Sequence, residues 1–81
     1  MKARLTPSAV KSYVAAPIAV RNAFDKQTAL LAENLRHPSL RAKKYEEATG
    51  MWQARINRDW RFYFTIEGDM YLIHKLIPHP K

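Results

Sequence analysis

The chain has no cysteine, only two glycines, and half as many carboxylates as cationic side chains. Without cysteine, disulfide bracing and thiol catalysis are excluded, which suits a reducing compartment. With Gly50 and Gly68 alone, no glycine-rich phosphate loop is possible. There is no long hydrophobic run either. The longest, residues 14–20, has seven residues with Pro17 inside it, against the roughly 18 that a membrane span needs. Its polar flanks do not read as a signal peptide. The chain is therefore expected to contact no membrane and to stay in the cytoplasm. His37, His74 and His79 lack a metal-ligand spacing, so neither a metal nor another cofactor is expected.

What is abundant is positive charge. Fourteen Lys and Arg against seven Asp and Glu leave a net charge of +7 over 81 residues. Half of these cations fall within residues 36–61: Arg36, Arg41, Lys43, Lys44, Arg55, Arg58 and Arg61. Only Glu46, Glu47 and Asp59 oppose them there. A clustered positive field points to a polyanionic partner, either nucleic acid or an acidic protein.

The length fits a single domain, residues 1–81, that buries about 60–65% of its unfolded surface. Residues 2–5 read as a short strand. Thr6 is a natural cap for a helix starting at Pro7, with Ala9, Val10, Tyr13 and Val14 on one face. Pro17 ends that helix and begins a second of roughly 18 residues. In the second, Val20, Phe24, Leu31 and Leu35, joined by Leu30, form an apolar stripe. The two helices are expected to cover one face of a sheet. Pro38 breaks the second, and the basic stretch "RHPSLRAKK" leads to a weak strand near residues 43–46.

"MWQARINRDWRFYFTIEGDMYLIHK", residues 51–75, alternates with the period of half-buried strands. Trp52, Ala54, Ile56, Trp60, Phe62, Phe64 and Ile66 share one face. A three-residue loop at Asn57, Arg58 and Asp59 keeps those faces matched and sets Arg55 opposite Arg61. A loop one residue shorter or longer inverts them. Like charges across a strand pair destabilise by up to about 1 kcal/mol, so an anion between them would remove a standing cost. The next turn, Gly68-Asp69, pairs Glu67 with Met70. By the same count Tyr63 faces His74, which would join Arg55, Arg61 and Tyr63 on the open face. The alternative is a face that is merely polar, with His74 a hydrogen-bonded bystander.

The order strand, two helices, "HPSLRAKK", "WQARI", "DWRFYF", "GDMYLI" and a terminal "PHP" resembles the RelE/ParE superfamily of bacterial toxins. The most specific part is residues 37–63. The resemblance implies an α+β fold, a twisted antiparallel β-sheet with an N-terminal helical hairpin on one face. It implies a toxin with a cognate antitoxin protein as partner. It further implies one of two activities. RelE-like members cleave mRNA at the ribosome, whereas ParE-like members inhibit DNA gyrase without being enzymes. A third possibility is an inactive member kept for complex formation or regulation. By the same resemblance Arg61 matches an arginine that contacts the scissile phosphate, and Arg55 a basic position that is lysine in some nucleases. Gln53 stands where those enzymes have another lysine. His79 lies close to the position of a catalytic histidine, and no tyrosine follows it.

Metal-free RNA cleavage needs a base, an acid and cations on the phosphate. Arginine binds two phosphate oxygens with one planar fork, and histidine moves protons near neutral pH. The candidate catalytic residues are thus Arg61, Arg55, His79, Tyr63 and His74. Arg41, Lys43, Lys44 and Arg58 are candidates for holding the nucleic-acid backbone.

Overall fold

The computed structural model describes residues 1–79. The chain runs β1 (Lys2–Leu5), α1 (Pro7–Ala15), α2 (Ile18–Glu33), a 3₁₀ turn (Pro38–Leu40), β2 (Lys43–Glu46), β3 (Met51–Arg55), β4 (Trp60–Glu67) and β5 (Met70–Pro78). The five strands form one sheet in the order β1-β5-β4-β3-β2. Strands β2 to β5 are antiparallel, as expected, but β1 adds to β5 in parallel, so the sheet is mixed. No helix among the described residues is long and apolar enough to cross a membrane.

The helix boundaries follow the local chemistry. Thr6 Oγ1 accepts from the Ala9 amide at 3.1 Å, and Pro7 fills the first turn. Pro17 lies between the helices, where it ends one and caps the other. Val20, Phe24 and Leu31 of the apolar stripe are buried, with Leu30 and Leu35 packed at the margin. On α1 the buried side is Ala9, with Tyr13 beside it, whereas Val10 and Val14 are exposed. The four do not share a buried face, because at 100° per residue only one flank of so short a helix reaches the sheet.

The core lies between the helices and one face of the sheet. Phe24 meets Phe62 edge to face at 5.3 Å, and Phe64 meets Tyr71 at 5.6 Å. Trp52, Ala54, Ile56, Trp60, Phe62 and Phe64 point into it or line it, as the alternation predicts. Ile66 does not: it lies 37% exposed near the distal turn, beyond the cover of the helices.

The β4–β5 register departs from simple counting. Glu67 pairs with Met70 and Phe64 with Ile73, but Tyr63 pairs with Lys75, leaving His74 as an extra residue. Tyr63 therefore does not face His74. Strict alternation beyond Ile73 would push the Lys75 ammonium into the core and Leu76 out of it. Burying an unpaired charge is far costlier than one irregular pair. With the bulge, Ile73 and Leu76 are both buried.

A buried glutamine on α2 ties the helix layer to the sheet. Gln27 Nε2 donates to the carbonyls of Ser39 (3.1 Å) and Arg55 (2.8 Å), and Ser39 Oγ donates back to Gln27 Oε1. Gln27→Leu is expected to destabilise the protein by about 1–3 kcal/mol, because both carbonyls lose their donor in a partly buried site. Urea denaturation checks this, and an unchanged midpoint would contradict it.

Candidate functional site

The β3–β4 turn builds the site. Asn57 Oδ1 accepts from the amides of Asp59 (2.9 Å) and Trp60 (3.0 Å), which folds the three-residue loop on itself. Ile56 N donates to Trp60 O at 3.0 Å, closing the hairpin at the predicted place. Arg55 and Arg61 are then direct cross-strand partners. Arg61 Nη1 donates to the carbonyls of Asn57 (2.7 Å) and Trp60 (2.9 Å), so its guanidinium is anchored on the turn.

Arg41 comes to the same end of the sheet. It closes the 3₁₀ turn in the left-handed region at φ 46°, a conformation that costs a non-glycine residue of order 1–3 kcal/mol. Partial burial pushes the Arg61 guanidinium below its ordinary pKa, and the charges of Arg55 and Arg41 push the same way. Asp59 offsets only part of this. Among the described residues the one ion pair within 4.0 Å is Lys44 with Glu47, at 3.9 Å. The arginine cluster thus has no carboxylate partner among them. Beside it opens a cleft of about 430 Å³ whose walls include Lys26, Gln27, Ser39, Arg41 and Arg55.

His79 reaches this end as well. Pro78 pairs with Trp60, and the His79 amide donates to Asp59 O at 2.7 Å. His79, two residues beyond the Ile77 that pairs with Arg61, is thereby held against the loop that carries Arg58. The expected stiffening by Pro80 lies outside the described residues.

The other candidates are placed differently. Tyr63 is on the open face but buried, with its hydroxyl accepting from Gln53 Nε2 at 2.7 Å. His74 is bulged toward Thr65, where Nε2 and Thr65 Oγ1 share a hydrogen bond of 2.8 Å. Lys43 pairs with Gln53 on the open face, while Lys44 pairs with Trp52 on the other. There its ammonium sits 5.2 Å from the Trp52 ring centroid. The two neighbouring lysines therefore serve opposite faces. Among the described residues no group of three metal-ligating side chains comes together.

Solved structures with the same architecture include the YoeB/ParE toxin from Agrobacterium tumefaciens, with a TM-score of 0.80 over 99% of this chain and 100% of that one. The chain has the RelE/ParE fold. The likeness to that toxin is 15% in sequence identity. The archaeal RelE–RelB complex from Pyrococcus horikoshii OT3 matches at 0.76 and 21% identity over 95% and 92% of the two chains. The toxin–antitoxin complex RelBE2 from Mycobacterium tuberculosis matches at 0.79 and 17% over 96% of each. No protein-family model and no curated protein matches the sequence. On this RelE/ParE fold the arginine cluster occupies the end of the sheet face that the helices leave open.

Sequence reading missed Gln27, which ties Ser39 and Arg55 together, and the role of Gln53, named there only in place of a lysine, as the donor to Tyr63. The three-residue step from Phe24 to Gln27 along the buried stripe is a signal for the first. For the second, the open-face position beside Tyr63 was the only one.

A cation cluster without counter-ions predicts an anion effect on stability. Inorganic phosphate is expected to raise the melting temperature beyond chloride at equal ionic strength. A bound phosphate adds about 1.4 kcal/mol at ten times its dissociation constant. The effect should vanish in Arg55→Ala, and equal stabilisation of that variant would contradict a site between the arginines.

Proposed function

We propose that this chain is the toxin of a toxin–antitoxin pair, and that it is a metal-independent endoribonuclease that cleaves mRNA at the ribosome in the cytoplasm and blocks translation. The observation that carries the reading is the half-buried Arg55–Arg61 pair with exposed Arg41 alongside, without a carboxylate partner among the described residues, on a RelE/ParE fold. A stability-driven sequence has no use for that arrangement, whereas a phosphodiester makes it favourable.

The chemistry follows from the parts. The ribose 2′-hydroxyl loses its proton to a base and attacks the adjoining phosphorus. The P–O5′ bond breaks, a 2′,3′-cyclic phosphate forms, and the 5′-oxygen leaves with a proton from an acid. Arg61 and Arg55 stabilise the extra negative charge on the crowded phosphate. His79 is the proton-transfer group at this end of the sheet. Lys43 and Arg58 guide the flanking backbone.

The alternative is a non-enzymatic inhibitor of DNA gyrase on the same fold. It draws support from Tyr63 and His74, both engaged by internal hydrogen bonds rather than free for catalysis. Inducible expression decides between them, with 5′ ends of cellular mRNA mapped beside DNA supercoiling. In-frame mRNA cuts support the nuclease, and stalled gyrase with intact mRNA overturns it.

The partner follows from the net charge of +7 and from similarity to toxins solved with antitoxins. An acidic antitoxin segment is expected to bind across the basic face and suppress toxicity. Its affinity should fall with salt, because exposed charges are screened over about 10 Å at 0.1 M. Co-purification unchanged in strong salt would point to a mainly apolar interface.

A further inference from the structure

Beside the arginine cluster, the open face carries a second feature that the cleavage chemistry does not use. Strand β2 changes register between Lys44 and Glu46, so Tyr45 is the extra residue of a bulge. Alternation from Lys43 keeps its ring on the open face, edge-on to Tyr63 at 4.9 Å, and the bulge brings Glu46 opposite Met51 beside it. Tyr63 is buried there beneath Lys75, whose ammonium sits 5.0 Å from the ring centroid, but Tyr45 is 58% exposed. Tyr45, Tyr63, Met51 and Lys75 enclose a small concavity of about 170 Å³, with Glu46 and Thr49 on its rim. Thr49 Oγ1 donates to Glu46 Oε1 at 2.9 Å, which holds that carboxylate in place.

An exposed tyrosine on an edge strand is a poor choice for solubility. Its ring plane is nevertheless fixed from behind, and lysines flank it. That combination, a rigid aromatic face beside cations, is how proteins hold single-stranded bases. The position also fits. Tyr63 follows Arg61 by two residues, about 6.8 Å of strand, and Tyr45 is the next ring outward. That ring lies a further 4.9 Å from Tyr63, along the same open face as the arginine pair.

We propose that Tyr45 is a stacking platform for one base of a single-stranded RNA whose neighbouring phosphate lies between Arg55 and Arg61. Glu46 selects a base with N–H donors on its Watson–Crick edge. Guanine presents two adjacent donors to a carboxylate, while uracil presents one, so guanine is favoured. Tyr45 and Glu46 bind and position, and take no proton in the reaction. The inference rests on the nuclease reading, and its test separates the two.

The test is cleavage on ribosomes programmed with mRNAs that differ only in guanine or uracil at each position flanking the cut. Tyr45→Leu, with Tyr45→Thr as a second ringless variant, is expected to lower cleavage about 5- to 100-fold at subsaturating toxin, with most of the loss recovered at saturation. Tyr45→Phe keeps the ring and stays within about twofold of wild type. Wild type and Tyr45→Phe prefer guanine at one flanking position, and Glu46→Gln loses that preference. Folded ringless variants that cut like wild type at every toxin concentration overturn the platform and leave the nuclease standing. A guanine preference unchanged in Glu46→Gln overturns the selection by Glu46. Wild-type protein that cuts none of these mRNAs overturns the nuclease reading and the platform together.

Discussion

Arg61→Ala is expected to lower single-turnover mRNA cleavage by about 10²–10³, the loss of one strong donor to a developing anion. The geometry separates this from a folding defect. Nη1 is committed to the carbonyls of Asn57 and Trp60, with Arg58 O farther off at 3.4 Å. Nε and Nη2 have no protein partner among the described residues and are available to a phosphate. Losing the anchor costs about 0.5–1.5 kcal/mol per bond, and losing one charge beside Arg55 returns up to about 1 kcal/mol. Two such bonds outweigh the returned repulsion by about 1–2 kcal/mol, so the melting temperature should fall by several degrees while the protein stays folded and the rate collapses. Arg61→Lys should recover only part of the rate, because one compact ammonium cannot grip the turn and present a planar fork together. Growth arrest by folded Arg61→Ala protein as strong as by wild type would refute the assignment.

The second large effect belongs to His79. His79→Gln is expected to keep folding and ribosome binding but to lose about 10²–10⁴ of the cleavage rate. The 2.7 Å bond from its amide to Asp59 O holds this residue at the arginine end of the sheet. Glutamine keeps hydrogen-bonding capacity and cannot exchange a proton near neutral pH. The pH–rate profile should therefore lose one limb as well as height. His74→Gln is the control, because His74 is turned toward Thr65 and should affect the rate only a few-fold. Single-turnover cleavage on programmed ribosomes compares the two. Should both variants cut at the wild-type rate, the proton moves through another group. Tyr63 then becomes the candidate, since Lys44 lies on the opposite face over Trp52.

Much of this protein is decided by its local pattern. The alternation of residues 51–66 sets which side chains face the helices as far as Phe64, and the three residues Asn57, Arg58 and Asp59 set Arg55 against Arg61. Thr6, Pro7 and Pro17 fix where the helices begin and part. These features are legible because caps, prolines and period-two patterns act over a few residues, and hairpin register follows from loop length. Three things were settled only by the tertiary structure. His74 leaves the Tyr63 row because the core accepts Leu76 and rejects Lys75, a choice between two whole-strand registers rather than a local preference. Glu46 comes beside Tyr45, and the Tyr45 ring comes against Tyr63, through an edge-strand bulge that no periodicity announces. Arg41, fourteen residues before Arg55, joins the arginine pair because Gln27 ties the 3₁₀ turn to the end of β3. Each depends on contacts between segments far apart in the chain, where the competing burial of charged and apolar groups decides the arrangement.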